Sequence, residues 1–187
     1  PDYADAHYNQ GYVLNEMGQH QAAVLSYDRA IAIQPNHAQA YINRGIALFN
    51  QRQFQAALAS YDKAIAIKAD TAEAYFNRGN ALNELKQYHA AIASYDQAIT
   101  LKPDLADAWL NRGHALNELK QYQTAVHSYD QAIALQSDLA EAFSNRGNAL
   151  RGLNRLQDAL DSYHQSFLID PDADFLCGTR WFLKMLI

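Results

Sequence analysis

Tyr75-Phe76-Asn77-Arg78-Gly79-Asn80-Ala81-Leu82 decides the fold, because its central tripeptide returns at a fixed interval. Asn77-Arg78-Gly79 recurs as Asn43-Arg44-Gly45, Asn111-Arg112-Gly113 and Asn145-Arg146-Gly147, with Asn9-Gln10-Gly11 as a weaker first copy, each 34 residues from the next. A fixed period of that size is the mark of a stack of supersecondary units, none of which buries its apolar face alone. The prolines confirm the phase. Pro1, Pro35, Pro103 and Pro171 are separated by multiples of 34, and the two skipped slots hold Ala69 and Ser137. Proline lacks an N–H and biases the residue before it away from helix, so these sites mark repeat ends.

The phase sets the expected domains: residues 1–3 as the tail of a truncated upstream repeat, then full repeats at 4–37, 38–71, 72–105, 106–139 and 140–173. Residues 174–187 follow as a non-repeat apolar C-terminal helix that caps or links. Each repeat holds two helices. In the third, Ala74, Tyr75, Arg78, Leu82 and Leu85 form one helix-spaced stripe, and after Lys86-Gln87 a second run carries Ala91, Ile92, Tyr95, Ala98, Ile99 and Leu101. So short a link imposes an antiparallel hairpin. Gly79 and its equivalents fall mid-helix, where glycine costs about 1 kcal/mol relative to alanine. Close approach of the partner helix is the expected compensation, with Ala91 and Ala98 as the small residues opposite.

Bulk properties narrow the function. Of the 187 residues 49% are apolar and 19% charged, which excludes a disordered chain. The net charge of −5 argues against nucleic-acid and anionic-membrane partners, which call for basic patches. No signal-like start and no long apolar run occur, which predicts a cytoplasmic protein without membrane insertion. The single cysteine, Cys177, allows no internal disulfide and has no nucleophile motif around it, so it reads as a buried or interface thiol. Seven histidines are scattered over different repeat positions, with no metal-binding cluster. No catalytic residue, metal or cofactor is expected in this segment, and it does not read as an enzyme.

Numbered from the first alanine of each repeat, position 4 is mostly aromatic (His7, Tyr41, Tyr75, Trp109, Phe143). Position 8 is Gly, position 20 Ala, position 24 Tyr, and position 27 Ala except for Ser166. This pattern resembles the tetratricopeptide repeat (TPR) family over 170 of the 187 residues. The resemblance implies an all-α, right-handed TPR solenoid (superhelix) of antiparallel helix pairs, five full repeats plus a C-terminal helix, with the first helices lining a concave groove. Fold alone does not fix activity.

Positions 2, 6, 9 and 13 form a stripe on the first helix, away from the packing positions. Position 6 carries Asn9, Asn43, Asn77, Asn111 and Asn145; position 9 carries Tyr12, Ile46, Asn80, His114 and Asn148; position 12 adds Asn15, Asn83 and Asn117. An amide offers a donor and an acceptor, so a row of them suits the backbone of an extended peptide whatever its side chains. Capping a neighbouring helix or satisfying a backbone group between repeats is the other role that fits. The Arg at position 7 follows an acid of the preceding repeat by 16 residues in Asp28/Arg44, Asp62/Arg78, Asp96/Arg112 and Asp130/Arg146. These are expected to bridge between repeats, or else to be solvated surface charges. The family's carboxylate-clamp mode needs Lys at positions 2 and 5; none stands at either, and acids at position 2 would repel an acidic tail.

The expected partner is therefore a protein or peptide in the groove. Two alternatives remain. Phe175-Leu176-Cys177-Gly178-Thr179 and Lys184-Met185 are similar to the junction between repeats and catalytic domain in bacterial O-GlcNAc-transferase-like (SPINDLY-type) glycosyltransferases, departing from it at Arg180-Trp181-Phe182. That resemblance implies a substrate-recognition arm with the catalytic domain downstream. Homo-oligomerisation through the solenoid ends, with Trp181 and Phe182 as contacts, is the other.

Overall fold

The computed structural model describes residues 3–171, in which ten α-helices and no strand occur. The expectations for residues 174–187, including Cys177, Trp181 and Phe182, lie outside the described residues. The chain divides into two compact units, Pro1–Lys102 and Pro103–Ile187. The first contains α1 (Ala4–Glu16), α2 (His20–Ile33), α3 (Ala38–Asn50), α4 (Phe54–Ile67), α5 (Ala72–Glu84) and α6 (Tyr88–Leu101). The second contains α7 (Ala106–Glu118), α8 (Tyr122–Leu135), α9 (Ala140–Gly152) and α10 (Leu156–Ile169). The first helices, α1, α3, α5, α7 and α9, each start on the alanine that opens a repeat. Within each unit every helix packs on its hairpin partner, and α2 on α3, α4 on α5 and α8 on α9 join successive pairs. The architecture is an all-α solenoid of antiparallel helix pairs.

One residue turns each hairpin. At position 15 the backbone enters the left-handed region: Gly18 at φ +73°, then Arg52, Lys86, Lys120 and Asn154 at φ between 57° and 60°. In the third repeat Lys86 N–H donates to Asn83 O at 2.9 Å and Gln87 N–H to Leu82 O at 2.8 Å. This double closure is the Schellman arrangement, which satisfies carbonyls the helix end would leave orphaned. Gln87 O then accepts from Ala91 N–H at 2.9 Å and starts the next helix. Four of the five turns impose this conformation on a side chain larger than glycine, a local strain that packing sustains.

Packing centres on the tyrosine of each second helix. Tyr27, Tyr61, Tyr95, Tyr129 and Tyr163 are almost fully buried. Each ring lies against the glycine at position 8 of its own repeat. A Cβ on Gly79 would stand 2.5 Å from Tyr95 Cε1, and one on Gly113 would stand 2.6 Å from Tyr129 Cε1. The mid-helix glycine therefore makes room for an aromatic ring. The sequence-based expectation that Ala91 and Ala98 face it was incomplete: both are buried, but the nearest atoms to Gly79 belong to Tyr95. Ser166, which replaces alanine at position 27, is buried and donates to Ala140 O at 2.7 Å, so its hydroxyl is satisfied. In the first unit Ile42, Ala64 and Ala74, from α3, α4 and α5, form a core cluster joining the second pair to the third, with Ile46 packed against it.

Because the glycine makes room, Gly79→Ala should destabilise the chain although alanine is the better helix former. A loss of about 1–3 kcal/mol is expected from overpacking against the Tyr95 ring. Urea unfolding of the variant reads this, and an unchanged or raised midpoint would show that the ring does not need the space.

Candidate functional site

The stripe of positions 2, 6, 9 and 13 is carried on α1, α3 and α5 in the first unit and on α7 and α9 in the second. Identical residues at one repeat position meet different neighbours on these helices. Asn43 is only 8% exposed. Its Oδ1 accepts from Gln39 Nε2 at 3.2 Å and its Nδ2 donates to Tyr8 OH at 3.1 Å, so both halves of the amide are engaged inside the protein. Tyr8 occupies position 5 of the preceding repeat. Its counterpart behind Asn77 is Ile42, which has no acceptor to offer. Asn77 is partly buried and, like exposed Asn9, has no side-chain hydrogen-bond partner among the described residues. Asn145 Nδ2 donates to Glu141 Oε1, one turn earlier, at 3.4 Å, and Asn111 is partly buried.

Position 9 serves the buried tyrosines where it is asparagine. Tyr95 OH donates to Asn80 Oδ1 at 2.9 Å, and Tyr163 OH to Asn148 Oδ1 at 3.0 Å. In the first repeat position 9 is Tyr12, which is 51% exposed, and the buried Tyr27 hydroxyl finds no amide at that position. His114 is partly buried. At position 12, Asn83 and Asn117 each leave Oδ1 buried without a hydrogen bond. An amide carbonyl shut away from both water and a partner is a costly acceptor, and it is not displayed to a ligand.

Asn77 and Asn80 come together at the wall of a 190 Å³ pocket with Ile46, Phe49 and Asn50 of α3 and Tyr61 of α4. All six residues lie in the first unit. The pocket combines an apolar wall with amides, among them the unpaired amide of Asn77. A larger cleft of 400 Å³ lies in the second unit, between α8, α9 and α10. It takes Arg146 and Leu150 from α9, a face separate from that of Asn145 and Asn148. Its charges are largely spent on one another: Arg146 on Asp130 at 2.8 Å and Arg155 on Asp158 at 2.7 Å.

The position-7 arginines point away from the amides. Arg44 Nε donates to Asp28 Oδ1 at 2.6 Å and Arg78 Nε to Asp62 Oδ1 at 2.7 Å; Arg146 Nη1 reaches Asp130 as above. Each carboxylate belongs to the second helix of the preceding repeat. Asp96 and Arg112 fall in different units, and Arg112 donates to Ser128 Oγ at 2.7 Å. Side-chain exposure of the three aspartates is 46–52%, so each ion pair contributes about 0.2–1 kcal/mol.

Each guanidinium also holds a buried serine of its own repeat, which the sequence reading missed. Arg44 Nη1 donates to Ser60 Oγ and Arg78 Nη1 to Ser94 Oγ, both at 2.7 Å, while Arg146 Nε reaches Ser162 Oγ at 3.1 Å. The serine passes its own proton on, Ser94 Oγ donating to Ala90 O at 3.0 Å. The signal was present as a serine at position 23 in all five repeats. Among the described residues no group of three or more His, Cys, Asp or Glu could hold a metal, and no helix is long and apolar enough to cross a membrane.

Burial pushes the Tyr61, Tyr95 and Tyr129 hydroxyls above the ordinary tyrosine value, with smaller contributions from nearby glutamates such as Glu84 at Tyr95. The folded chain thus keeps these protons at a pH where the unfolded chain has lost them. The stabilisation is complete below about pH 10, the unperturbed tyrosine value, and is lost as pH rises above it.

The TPR repeat family model matches residues 11–52, 48–85, 79–119 and 113–153. Similar solved structures include the crystal structure of MamA, at 20% identity over 90% of this chain and 92% of that one, with a TM-score of 0.84. Residues 41-end of MamA from Desulfovibrio magneticus RS-1 align at 19% identity over 93% and 98%, TM-score 0.86. YrrB, a TPR protein with an unusual peptide-binding site, aligns at 20% identity over 93% and 90%, TM-score 0.82. No curated protein sequence matches the chain. The matched family model describes a structural repeat and carries no catalytic activity in its description.

Stability should fall as pH rises above about 10, by up to about 1.4 kcal/mol per pH unit for each buried tyrosine. Tyrosinate absorbance of the folded chain checks the cause. If all twelve tyrosines ionise together near the free value before unfolding, the burial account is wrong.

Proposed function

The chain belongs to the tetratricopeptide repeat family, and from that premise we propose that its first-helix face binds an extended segment of a partner protein. The observation that carries this reading is the unpaired Asn77 amide at the wall of the 190 Å³ pocket. A side-chain amide with no internal partner has both a donor and an acceptor to give to a peptide backbone. Ile46, Phe49 and Tyr61 supply apolar surface for one side chain of that peptide. Each backbone hydrogen bond adds only about 0.5–1.5 kcal/mol net, so affinity needs the pocket as well as the amide.

The amides divide into two groups in this account. Asn9 and Asn77 are contact residues, and Asn111 and Asn145 hold the same repeat position in the second unit. Asn43, Asn80 and Asn148 support the face from within, by bonding Tyr8, Tyr95 and Tyr163. Peptide binding in YrrB supports the reading at the level of the fold.

Affinity selection from a random peptide library, followed by titration against variants, tests the assignment. Asn77→Ala should weaken selected peptides about tenfold, the equivalent of about 1.4 kcal/mol, without lowering the unfolding midpoint. Equal binding by wild type and Asn77→Ala would remove the amide from the contact surface.

A further inference from the structure

The stripe that presents Asn77 is lopsided in charge. On α1, α3 and α5 its twelve positions hold Asp5, Glu16, Glu73 and Glu84, and no Lys or Arg at all. The acids stand at positions 2 and 13, at opposite ends of the helices, with amides and the apolar pocket between them. All four are exposed. The two arginines carried on α3 and α5, Arg44 and Arg78, are paired with Asp28 and Asp62. On α7 and α9 the stripe likewise carries Asp107, Glu118 and Glu141 and no Lys or Arg.

Resting on the peptide-binding reading above, we infer that the occupant is a cationic segment: one aromatic or long aliphatic side chain, flanked on both sides by Lys or Arg. The anchor fits by size. A cavity of about 150 Å³ accepts benzene, so the 190 Å³ pocket, lined by Ile46, Phe49 and Tyr61 together with Asn50, Asn77 and Asn80, has room for a phenyl ring. The flanks fit by charge. On a 1.5 Å rise per residue, the eleven-residue step from Glu73 to Glu84 separates the two carboxylates by roughly 16 Å, the reach of about five extended residues. Basic side chains two or three residues either side of the anchor meet one acidic margin each. An acidic segment meets repulsion at both margins and finds no cation to offset it, so the face selects against it as well as for its opposite.

The test uses the whole 187-residue chain and labelled nonapeptides with a central Phe flanked by Lys, Gln or Glu, read by fluorescence anisotropy. At low salt the Lys-flanked peptide should bind about tenfold more tightly than the Gln-flanked one, and the advantage should shrink as added salt brings the Debye length below about 10 Å. Replacing the central Phe by Ala should weaken binding in every series. Glu73→Gln with Glu84→Gln should abolish the preference for Lys. Asp70→Asn with Asp104→Asn, which removes the same charge from exposed inter-repeat turns, should leave it intact. Equal affinity for all three flanks, still sensitive to Asn77→Ala, overturns the charge assignment and leaves peptide binding standing. Preference for Lys that survives in the Glu73/Glu84 variant also overturns it, assigning the effect to net charge. Failure of every peptide to bind overturns both.

Discussion

The contact between a mid-helix glycine and a buried tyrosine ring is the constraint on which the rest of the structure depends. It draws the two helices of a pair together so closely that no Cβ fits between them, and it recurs from Gly11/Tyr27 to Gly147/Tyr163. With that contact made, the first helix is fixed in rotation. Positions 8 and 11 turn inward, and position 7 turns to the preceding repeat. The tyrosine also creates a demand of its own. Its hydroxyl is taken out of water and needs an acceptor, which Asn80 and Asn148 provide. Part of the polar character of the outer face is therefore owed to the core beneath it.

That demand explains why a uniform row of asparagines does not do uniform work. Asn43 is consumed by Gln39 and Tyr8, whereas Asn77 finds Ile42 where Asn43 finds Tyr8. Two differences decide whether the amide is structural or available: Ile42 in place of Tyr8 at position 5 of the preceding repeat, and Glu73 in place of the donor Gln39 at position 2 of its own. The arginine beside it is always structural where its surroundings are described. It bonds an aspartate of the preceding repeat and a serine of its own, joining three helices through one side chain whose ion pair alone would contribute little.

The fold was legible because a 34-residue period is visible without any three-dimensional information, and the proline phase set where the helices begin. The Arg–Asp spacing was legible for the same reason in Asp28/Arg44, Asp62/Arg78 and Asp130/Arg146. Other features escaped. Ser94 and its equivalents were missed, although a serine stands there in every repeat, because a recurring serine alone does not tell that it is buried. The split among asparagines escaped because it depends on which neighbour lies across the boundary, a comparison between different positions of successive repeats. Gly79 was read correctly as a close approach, but the residue approaching it is the ring of Tyr95.

The central claim is that the Asn77 amide is held open for a partner while the Asn43 amide is not. Side-chain amide resonances of the isotope-labelled chain, followed while a selected peptide is added, measure this directly. The account predicts that the Asn77 side-chain NH2 signals move and saturate with binding while those of Asn43 stay in place. Movement of Asn43 with Asn77 unchanged would contradict it.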